Sequence, residues 1–291
     1  MFPHVHPRSQ NLTLNYSESS EDTFGHCGNL VEGIIVWASL SALFSLIGCP
    51  ACGAVIWEIW KKHRTGTSLT PNNVFMLNLT IMDLVFLFFV PFGLCNFLLW
   101  HIMSVQMLSN FLYALNLAGR PLLTACICLD CYVAVVHPIT YSKKKSLTPR
   151  VLMVAAVWTI TAAQGFTSTV VDELNHSAWA MFVYVIALPV IVISDVSILW
   201  TLKKSHRAGK ALHQKKKKAF QIITNSMVMT IVSYVPPVLV YILGDLILSD
   251  EKEYDCLLAI PILVTPTAGS AIMPLLYLGN LGTLKNPCCS L

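Results

Sequence analysis

The chain has 291 residues, of which 55% are apolar and only 12% charged, with a formal net charge of +4. Because an average soluble domain is about 25% charged, this composition excludes an ordinary water-soluble globular protein. It favours a protein whose main solvent is lipid.

Apolar stretches long enough to cross a bilayer recur along the whole chain. A bilayer core about 30 Å thick requires about 20 mostly apolar residues in a helix. Such stretches predict seven spans, at about 30–60, 73–99, 103–136, 150–170, 179–202, 217–246 and 256–278. Alternating barrel strands do not occur, and backbone amides in lipid must be paired within the protein. The predicted fold class is therefore an all-α membrane protein, a seven-transmembrane helix bundle.

The spans divide the chain into an N-terminal tail at 1–29, a transmembrane domain at 30–278 and a short C-terminal tail at 279–291. Loops rich in Lys and Arg stay on the cytoplasmic side of a membrane. Basic residues follow the first span and separate the third from the fourth and the fifth from the sixth, at 61–64, 143–150 and 203–218. We therefore expect a multi-pass plasma-membrane protein with an extracellular N-terminus and a cytoplasmic C-terminus.

Two features of the predicted extracellular segments agree with this orientation. Three Asn-x-Ser/Thr sequons fall there and predict N-glycosylation, at Asn11, Asn15 and Asn175. Of the ten cysteines, only Cys27 and Cys256 lie on these segments. An oxidising exterior favours a disulfide between them, the alternative being two free or separately buried thiols.

Short motifs mark the spans in a recognisable order. The second span contains Leu-Asn-Leu-Thr-Ile-Met-Asp83, and the third ends in Asp130-Cys131-Tyr132. Further landmarks follow in the later spans: Trp158, Pro189, Pro236 and Met273-Pro274-Leu-Leu-Tyr277. Over about 30–280 this order resembles the rhodopsin-like (class A) family of G-protein-coupled receptors. The resemblance implies a receptor with an extracellular ligand, a heterotrimeric G protein as partner, and activation motifs at Pro236, Met273, Pro274 and Tyr277.

Several family positions carry unexpected residues. Cys131 replaces the arginine of the family's Asp-Arg-Tyr motif, and Met273 replaces the asparagine of Asn-Pro-x-x-Tyr. Tyr234 stands for the sixth-helix tryptophan. The third-helix cysteine of the family disulfide is Gln106 here, and the second outer loop has no cysteine. Loss of both bridge partners gives the predicted Cys27–Cys256 disulfide more importance.

Two opposite charges lie within the predicted membrane spans. A charge at mid-bilayer costs about 2.5–3.5 kcal/mol, and such groups usually pair inside the bundle. At 1.5 Å per residue, Asp83 and Arg120 lie at similar depth in antiparallel helices, which predicts an intramembrane ion pair. The resemblance implies that the aspartate helps bind sodium with a third-helix hydroxyl, where this chain has Arg120. We expect the guanidinium to replace that ion; the alternative is that Arg120 reaches elsewhere or binds backbone carbonyls.

Two other acids lie near the inner ends of the spans. Asp130 is expected to accept bonds from Lys or Ser of the cytoplasmic loop, or to be solvated. The sequence assigns no role to Asp195.

The resemblance places the ligand in the outer half, between the third, fifth, sixth and seventh helices. The matching positions are Tyr113, Leu117, Met181, Tyr234, Tyr241, Leu263 and Thr267. Aminergic receptors have an aspartate at the position of Tyr113, which disfavours an amine. Nucleotides, carboxylates and lysophospholipids need cations, which the outer half almost lacks. An apolar small molecule or a peptide fits better, and the alternative for each side chain is simple core packing.

No catalytic motif occurs, so an enzyme is disfavoured. His4, His6 and His26 lie in the tail without metal-site spacing, and we expect no metal, cofactor or nucleic-acid partner. A transporter with a polar track is a second class, although no inverted repeat is seen. A third is a receptor-shaped protein that no longer couples to G protein, acting as a scavenger or dimer partner, which Cys131 and Met273 favour.

The predicted cytoplasmic surface carries two lipid-directed features. The basic run Lys215–Lys218 contacts anionic lipid or is simply solvated. Cys288 and Cys289 predict palmitoylation beside the membrane, with a prenylation box as the weaker match.

Overall fold

The computed structural model describes residues 32–65, 71–137, 139, 141, 147–170, 176–207, 223–247 and 260–280, and within these ranges every regular element is helical. The first five helices are α1 (Glu32–Arg64), α2 (Pro71–Cys95), α3 (Met103–Val136), α4 (Thr148–Val170) and α5 (His176–Arg207). Helix α6 covers 223–247 and ends in Val235–Ile247, and α7 (Val264–Asn280) follows a short segment at Ile260–Ile262. The predicted all-α bundle of apolar helices is confirmed.

The dimensions and surface of the helices suit a bilayer. Six of the described helical spans, all except α4, are long and apolar enough to cross a membrane. Helix α4 has 23 residues, which corresponds to about 35 Å and also exceeds the apolar thickness of a bilayer. Large apolar side chains such as Leu46, Ile193 and Trp200 are mostly exposed on the outside of the bundle, as expected for lipid contact.

The observed boundaries extend beyond the apolar stretches where basic residues follow them. Helix α1 continues from Trp60 through Lys61, Lys62 and Arg64. Cations in a last helical turn interact favourably with the helix dipole, so the helix does not end with its apolar residues. The predicted parts of the sixth and seventh spans at 217–222 and 256–259 lie outside the described residues.

Prolines and two wide turns interrupt the regular hydrogen bonding. Asn96–Trp100 forms a π turn at the end of α2, and Thr230–Tyr234 forms another in α6, just before Pro236 and Pro237. Proline has no N–H to donate to the preceding turn. The N–H of Val235 instead reaches back five residues to the oxygen of Thr230. The wide turn therefore changes the bonding register beside the two prolines.

Helix α3 is the centre of the bundle and packs against α2, α4 and α5, whereas α1 packs against α2 and α7. Trp158 Nε1 donates to Asn78 Oδ1 at 3.1 Å and links α4 to α2. The main apolar cluster includes Val55, Phe75, Leu79, Met82, Leu123, Ile127, Val157 and Met273. This packing brings the middle of α2, α3 and α7 together.

An amide network fixes the connection between α2 and α3. Asn96 Oδ1 accepts a bond from the N–H of Ile102 at 2.8 Å, and its Nδ2 donates to Gln106 Oε1 at 3.3 Å. His101, between them, has a left-handed backbone with φ 55°. Gln106 also donates to Asn110 Oδ1 at 3.1 Å. The position where the resemblance implied a cysteine is thus held to α2 by hydrogen bonds.

Candidate functional site

The centre of the bundle contains a buried pair of opposite charges. The side chain of Asp83 on α2 is 0% exposed and that of Arg120 on α3 is 2% exposed. Arg120 Nε lies 3.0 Å from Asp83 Oδ1. The structure therefore brings together the two residues at the depth that the helical rise predicts.

The outer nitrogens of Arg120 reach the backbone of α7. Nη2 donates to the carbonyl oxygen of Gly269 at 2.9 Å, and Nη1 to that of Pro266 at 3.4 Å. A carbonyl oxygen has two lone pairs and can accept a bond beyond the helical one. The guanidinium therefore has both partners that the sequence offered as alternatives, a carboxylate and backbone carbonyls.

Gly269 permits this close approach. A methyl group at this position would overlap Arg120 Nη1 and the hydroxyl of Ser233 on α6. Sequence reasoning missed Gly269, although a Gly-Ser pair in the middle of an apolar span was an available signal.

Asn116 and Ser270 complete the polar centre. Asn116 Nδ2 lies 3.2 Å from both Asp83 Oδ1 and Ser270 Oγ. Asn116 precedes Arg120 by four residues, so both side chains lie on one face of α3. That spacing was the signal that sequence reasoning overlooked. The resulting arrangement, here called the arginine centre, consists of Asp83, Asn116, Arg120, Gly269 and Ser270.

A cavity of about 420 Å³, including its open mouth, lies in the predicted outer half of the bundle, between α1, α2, α3 and α7. Its described lining is Trp37, Ser41, Phe86, Phe89, Val90, Gly93, Leu94, Ser109, Leu112, Tyr113 and Thr267. Two predicted ligand-pocket residues, Tyr113 and Thr267, are among them. The Tyr113 hydroxyl donates to the carbonyl of Leu263 at 3.4 Å, so α3 is joined at the cavity wall to the residue that precedes α7.

The other predicted pocket residues lie elsewhere. Leu117 packs in a cluster with Tyr184 and Tyr234 between α3, α5 and α6, and Leu263 packs in a cluster of α1, α2 and α7 residues. Met181 lies on α5 and Tyr241 on α6, and both side chains fall outside the described part of the structure.

Tyr234 connects α6 to α3. Its hydroxyl and that of Thr124 are 2.9 Å apart, and its ring meets the edge of Tyr184 with centroids 5.9 Å apart. The side chain is almost completely buried. At the position of the family tryptophan, this tyrosine is thus held by a hydrogen bond as well as by packing.

At its predicted inner end, α3 is bound to the start of α4. Asp130 Oδ1 lies 2.8 Å from Arg150 Nε, and Asp130 Oδ2 accepts a bond from the Tyr141 hydroxyl at 3.1 Å. The guanidinium of Arg150 also lies over the Tyr141 ring, 4.9 Å from its centroid. The sequence predicted lysine, serine or water as the partner of Asp130. Arg150 and Tyr141 were missed because no sequence motif around them indicates that they contact Asp130.

Burial, together with the negative charge of Asp130, raises the pKa of Tyr141. A phenol is protonated at physiological pH even without this shift, and the raised pKa extends its role as hydrogen-bond donor to Asp130 to more alkaline pH. This group of Asp130, Tyr141 and Arg150 is called the α3–α4 clamp below.

The two residues that follow Asp130 face apolar surroundings. Cys131 and Tyr132 pack against Ile198 on α5 and Ile223 on α6. A cysteine supplies no positive charge here, whereas the arginine of the family motif would. The contact between α3 and α6 at this level is therefore apolar.

Asp195 on α5 is a second buried acid, 3% exposed. It lies beside Ser226 and Cys128, whose own side chains are 3.0 Å apart. Its Oδ1 has no hydrogen-bond partner. No sequence motif predicts that Cys128 and Ser226 lie beside this carboxyl group.

The predicted activation motif of α7 lies against the main core. Met273 is buried in that cluster and Tyr277 packs beside it, with Pro274 inside the helix. Pro236 follows the π turn of α6. These positions contain no charge that could connect them to the arginine centre.

Several predicted modification sites lie outside the described residues. These are Cys27, Cys256, Asn11, Asn15, Asn175, Cys288 and Cys289.

The fold and the charges buried within it define a multi-pass membrane protein. Residues 52–178 match the family model described as 7 transmembrane receptor (rhodopsin family). This match confirms the resemblance to the rhodopsin-like family of G-protein-coupled receptors that the motifs indicate.

Three relatives show how distant the similarity is. The chain is 27% identical to a purinoceptor of Gallus gallus over 66% of each chain. It is 30% identical to chemerin-like receptor 2 of Rattus norvegicus over 47% of this chain and 39% of that receptor. It is 23% identical to the uracil nucleotide/cysteinyl leukotriene receptor of Homo sapiens over 77% of this chain and 65% of that one. The matched region thus spans less than two thirds of these relatives.

The arginine centre does not fit the sodium ion that the resemblance implied. Arg120 already supplies a positive charge at Asp83 and donates to two carbonyl oxygens of α7. A second cation beside the guanidinium would be repelled in this low-dielectric environment. Among the described residues, no group of three His, Cys, Asp or Glu side chains could hold a metal ion.

Proposed function

We propose that this chain is a plasma-membrane receptor with an extracellular N-terminus, which binds an extracellular ligand and acts through a heterotrimeric G protein, not as an enzyme. One observation carries the proposal: Arg120 joins α2, α3 and α7 at the centre of the bundle. A ligand that displaces α7 relative to α3 must change these contacts. The arginine centre is thus suited to pass a change in the outer half to the rest of the bundle.

In this proposal Arg120 acts as a fixed counter-ion. Arginine stays charged under physiological conditions and can bind several acceptors with its planar group. An exchangeable ion leaves the site when the helices rearrange, but a guanidinium remains attached to α3. Rearrangement of the centre then requires exchange of its partners on α2 and α7 instead of ion release.

A second candidate is a receptor-shaped protein that does not couple to G protein, serving as a scavenger or dimer partner. The observation in its favour is the neutral Cys131, packed against α5 and α6 residues. In addition, Arg150 on α4 binds Asp130. At the inner end of α3, the position of the family's arginine then presents no arginine to a G protein.

Nucleotide exchange distinguishes these two functions. The full chain is expressed with a panel of G proteins, and basal exchange is measured for wild type, Cys131→Arg and Cys131→Ser. For a coupled receptor we expect exchange above that of cells without receptor in wild type and Cys131→Ser. Exchange in Cys131→Arg alone would support the uncoupled alternative. No exchange in any variant, with normal surface expression, would contradict coupling.

The relative named for uracil nucleotides does not determine the ligand of this chain. Nucleotide phosphates require cationic side chains, and none of the described residues around the cavity is charged. We propose an apolar small molecule or a peptide as ligand. A transporter receives less support, because Asp83 and Asp130 each pair with a different arginine, Arg120 and Arg150, and do not form one continuous track.

A further inference from the structure

Asp195 on α5 lies inside the bundle, and neither ion pair of the described helices includes it. It is 3% exposed, and its Oδ1 makes no hydrogen bond. A carboxylate within a membrane bundle usually pairs with a cation, as Asp83 does with Arg120 and Asp130 with Arg150. The burial of Asp195 therefore requires another explanation.

The two side chains beside Asp195 are neutral. Cys128 on α3 and Ser226 on α6 are both buried, and Cys128 Sγ lies 3.0 Å from Ser226 Oγ. A hydroxyl donates one hydrogen bond and has two lone pairs, and a thiol does the same more weakly. Such neighbours can satisfy a neutral carboxyl group, which both donates and accepts, but they do not offset a negative charge. The surroundings of Asp195 thus suit its protonated form.

The described charged groups on α5 and on the helices packed against it are engaged elsewhere. Arg120 on α3 and Arg150 on α4 each bind another aspartate. Lys203 lies on α5 itself, about 12 Å further along the helix, and is exposed. Thiols and phenols are mostly neutral at pH 7. The other titratable groups of this region are of these two kinds: Cys128, Cys131 and Tyr132 on α3, Tyr184 on α5 and Tyr234 on α6.

The contact between α3 and α6 outward of Asp195 is polar. Ser226, Thr230 and Ser233 are spaced by four and three residues, so they share one face of α6, and all three are buried. On α3, Thr124 and Cys128 are likewise four residues apart. The hydroxyls of Thr230 and Ser233 have no hydrogen-bond partner. Buried polar groups of this kind bind water readily, so a separation of α6 from α3 would admit water towards Asp195.

We propose that Asp195 is a proton-binding site between α3, α5 and α6, protonated while these helices are packed together and ionised when α6 separates from α3. Burial in a medium of low polarity disfavours a charge. The protonated carboxyl can donate its hydrogen to Ser226 Oγ, whereas the carboxylate needs water. Acid should therefore favour the packed helices, and alkali their separation. The effect on signalling rests on the proposed receptor function, but proton binding does not.

Infrared spectroscopy of the purified full chain in lipid nanodiscs tests the protonation directly, because a protonated carboxyl has its own C=O stretching band. We expect this band in wild type at about pH 6, although an ordinary aspartate ionises near about pH 3.9. It should weaken as the pH is raised towards about pH 9. Asp195→Asn should lack the band. Asp83→Asn, the matched control at the other buried acid, should retain it.

Two serine variants locate the band without removing the acid. Ser226→Ala deletes the hydroxyl beside Asp195 and should shift the frequency of the band, because the C=O stretch depends on the hydrogen bonds of the carboxyl group. Ser45→Ala is the matched control. Ser45 is also a buried serine, but it donates to the carbonyl of Leu87 on α2, so its loss should leave the band unchanged.

The pH dependence of thermal unfolding gives a second measurement. If the folded chain binds the proton more tightly than the unfolded chain, its stability falls as the pH rises above about pH 4. One proton lowers the ratio of folded to unfolded chain by at most about tenfold per pH unit. Asp195→Asn cannot ionise, so the melting temperature of wild type should fall relative to that of Asp195→Asn as the pH rises.

Three results would overturn the proposal. The first is a wild-type spectrum without the protonated band at about pH 6. The second is a band that Asp83→Asn removes and Asp195→Asn retains. The third is a melting temperature that depends on pH equally in wild type and Asp195→Asn. Because neither measurement uses G protein, a failure of nucleotide exchange does not affect them.

Discussion

Arg120 has a planar group with five N–H donors, and each of its three nitrogens lies near an acceptor on another helix. Its Nε, although 3.0 Å from Asp83, is not directed well enough to form a hydrogen bond. The contact with the carboxylate is therefore mainly one of charge, while the two α7 carbonyls receive the directed bonds. The orientation of the guanidinium is consequently determined by α7.

Loss of Arg120 alone should be more harmful than loss of both charges. Arg120→Ala leaves Asp83 buried without its cation, and removing one partner of a buried pair typically costs about 3–5 kcal/mol. The double variant Asp83→Asn, Arg120→Leu leaves no buried charge and should be less destabilised. Surface expression and thermal unfolding of the purified protein measure both effects. Equal values for the single and double variants would contradict the pairing.

Sodium should not stabilise this protein. Since Arg120 occupies the cationic role at Asp83, replacing sodium chloride with N-methylglucamine chloride should leave the melting temperature of wild type unchanged. Arg120→Ser restores a small hydroxyl next to Asp83 and should create a sodium-dependent increase. A sodium-dependent increase in the melting temperature of wild type would show that Arg120 does not replace the ion. The same increase in Asp83→Asn would show this as well.

A methyl group at Gly269 should damage the arginine centre. It would overlap Arg120 Nη1 and Ser233 Oγ, and overpacking of this kind costs about 1–3 kcal/mol. Gly53→Ala is the matched control, because nothing lies within 4 Å of a methyl group there; alanine in a helix should be neutral or slightly stabilising. Thermal unfolding compares the two, and equal stability would mean that Gly269 is not required for the approach of Arg120.

For individual residues, the sequence predicts the pair of Asp83 and Arg120 but not the α7 residues that contact it. The depth of Asp83 and Arg120 follows from the rise of a helix, which needs no tertiary information. Which face of α7 meets Arg120 depends on the rotation of that helix in the bundle. The Gly-Ser pair is visible in the sequence, but only the packed bundle shows that Gly269 faces Arg120 and that Ser270 contacts Asn116.

Among the elements, α3 is attached at three levels to different neighbours. Gln106 binds Asn96 at the end of α2, Arg120 binds α7, and Asp130 binds Arg150 of α4. Thr124 adds a bond to Tyr234 of α6. Movement of α6 can break the last of these bonds without disturbing the others. The π turn that ends at Tyr234 provides an irregular segment at which α6 can bend.

The α3–α4 clamp should contribute to stability mainly through its charges. Arg150→Gln removes the cation beside Asp130, and a hydrogen bond to a charged group is worth about 1.5–3 kcal/mol. Tyr141→Phe removes only one hydroxyl, for which a loss of about 0.5–1.5 kcal/mol is expected. Thermal unfolding of the two variants should therefore rank Arg150→Gln as the less stable. The reverse order would show that Tyr141 is the principal partner of Asp130.

The sequence predicts where the helices are interrupted but not that the interruptions are π turns. Proline positions predict interruptions of the helical bonds, and Pro236 and Pro237 do lie beside one. Whether the chain responds with a kink or a π turn depends on which carbonyls find partners in neighbouring helices. That information is contained in the packed bundle and not in the sequence of α6.

At the scale of the whole molecule, the fold class follows from composition, since lipid leaves few ways to pair the backbone. The cavity does not follow in the same way. The family resemblance places the ligand between α3, α5, α6 and α7, but Leu117 and Tyr234 pack closely there with Tyr184. The open space lies beside α1 and α2 because Ser41 and Gly93 on its wall are small. The position of such a cavity depends on which side chains of neighbouring helices face each other, and composition does not determine this.

The orientation of the molecule determines whether that cavity faces the outside of the cell. Basic loops predict an extracellular N-terminus, and so we expect glycans at Asn11, Asn15 and Asn175. Asn11→Gln and Thr13→Ala destroy the same sequon by different changes. Each should remove one glycan and so increase the gel mobility of the protein. Peptide N-glycosidase should abolish the difference. An N-terminal epitope should be stained on intact cells. Staining only after permeabilisation would show that the orientation is the reverse of the expected one. The cavity would then lie at the cytoplasmic side, where an extracellular ligand has no access to it.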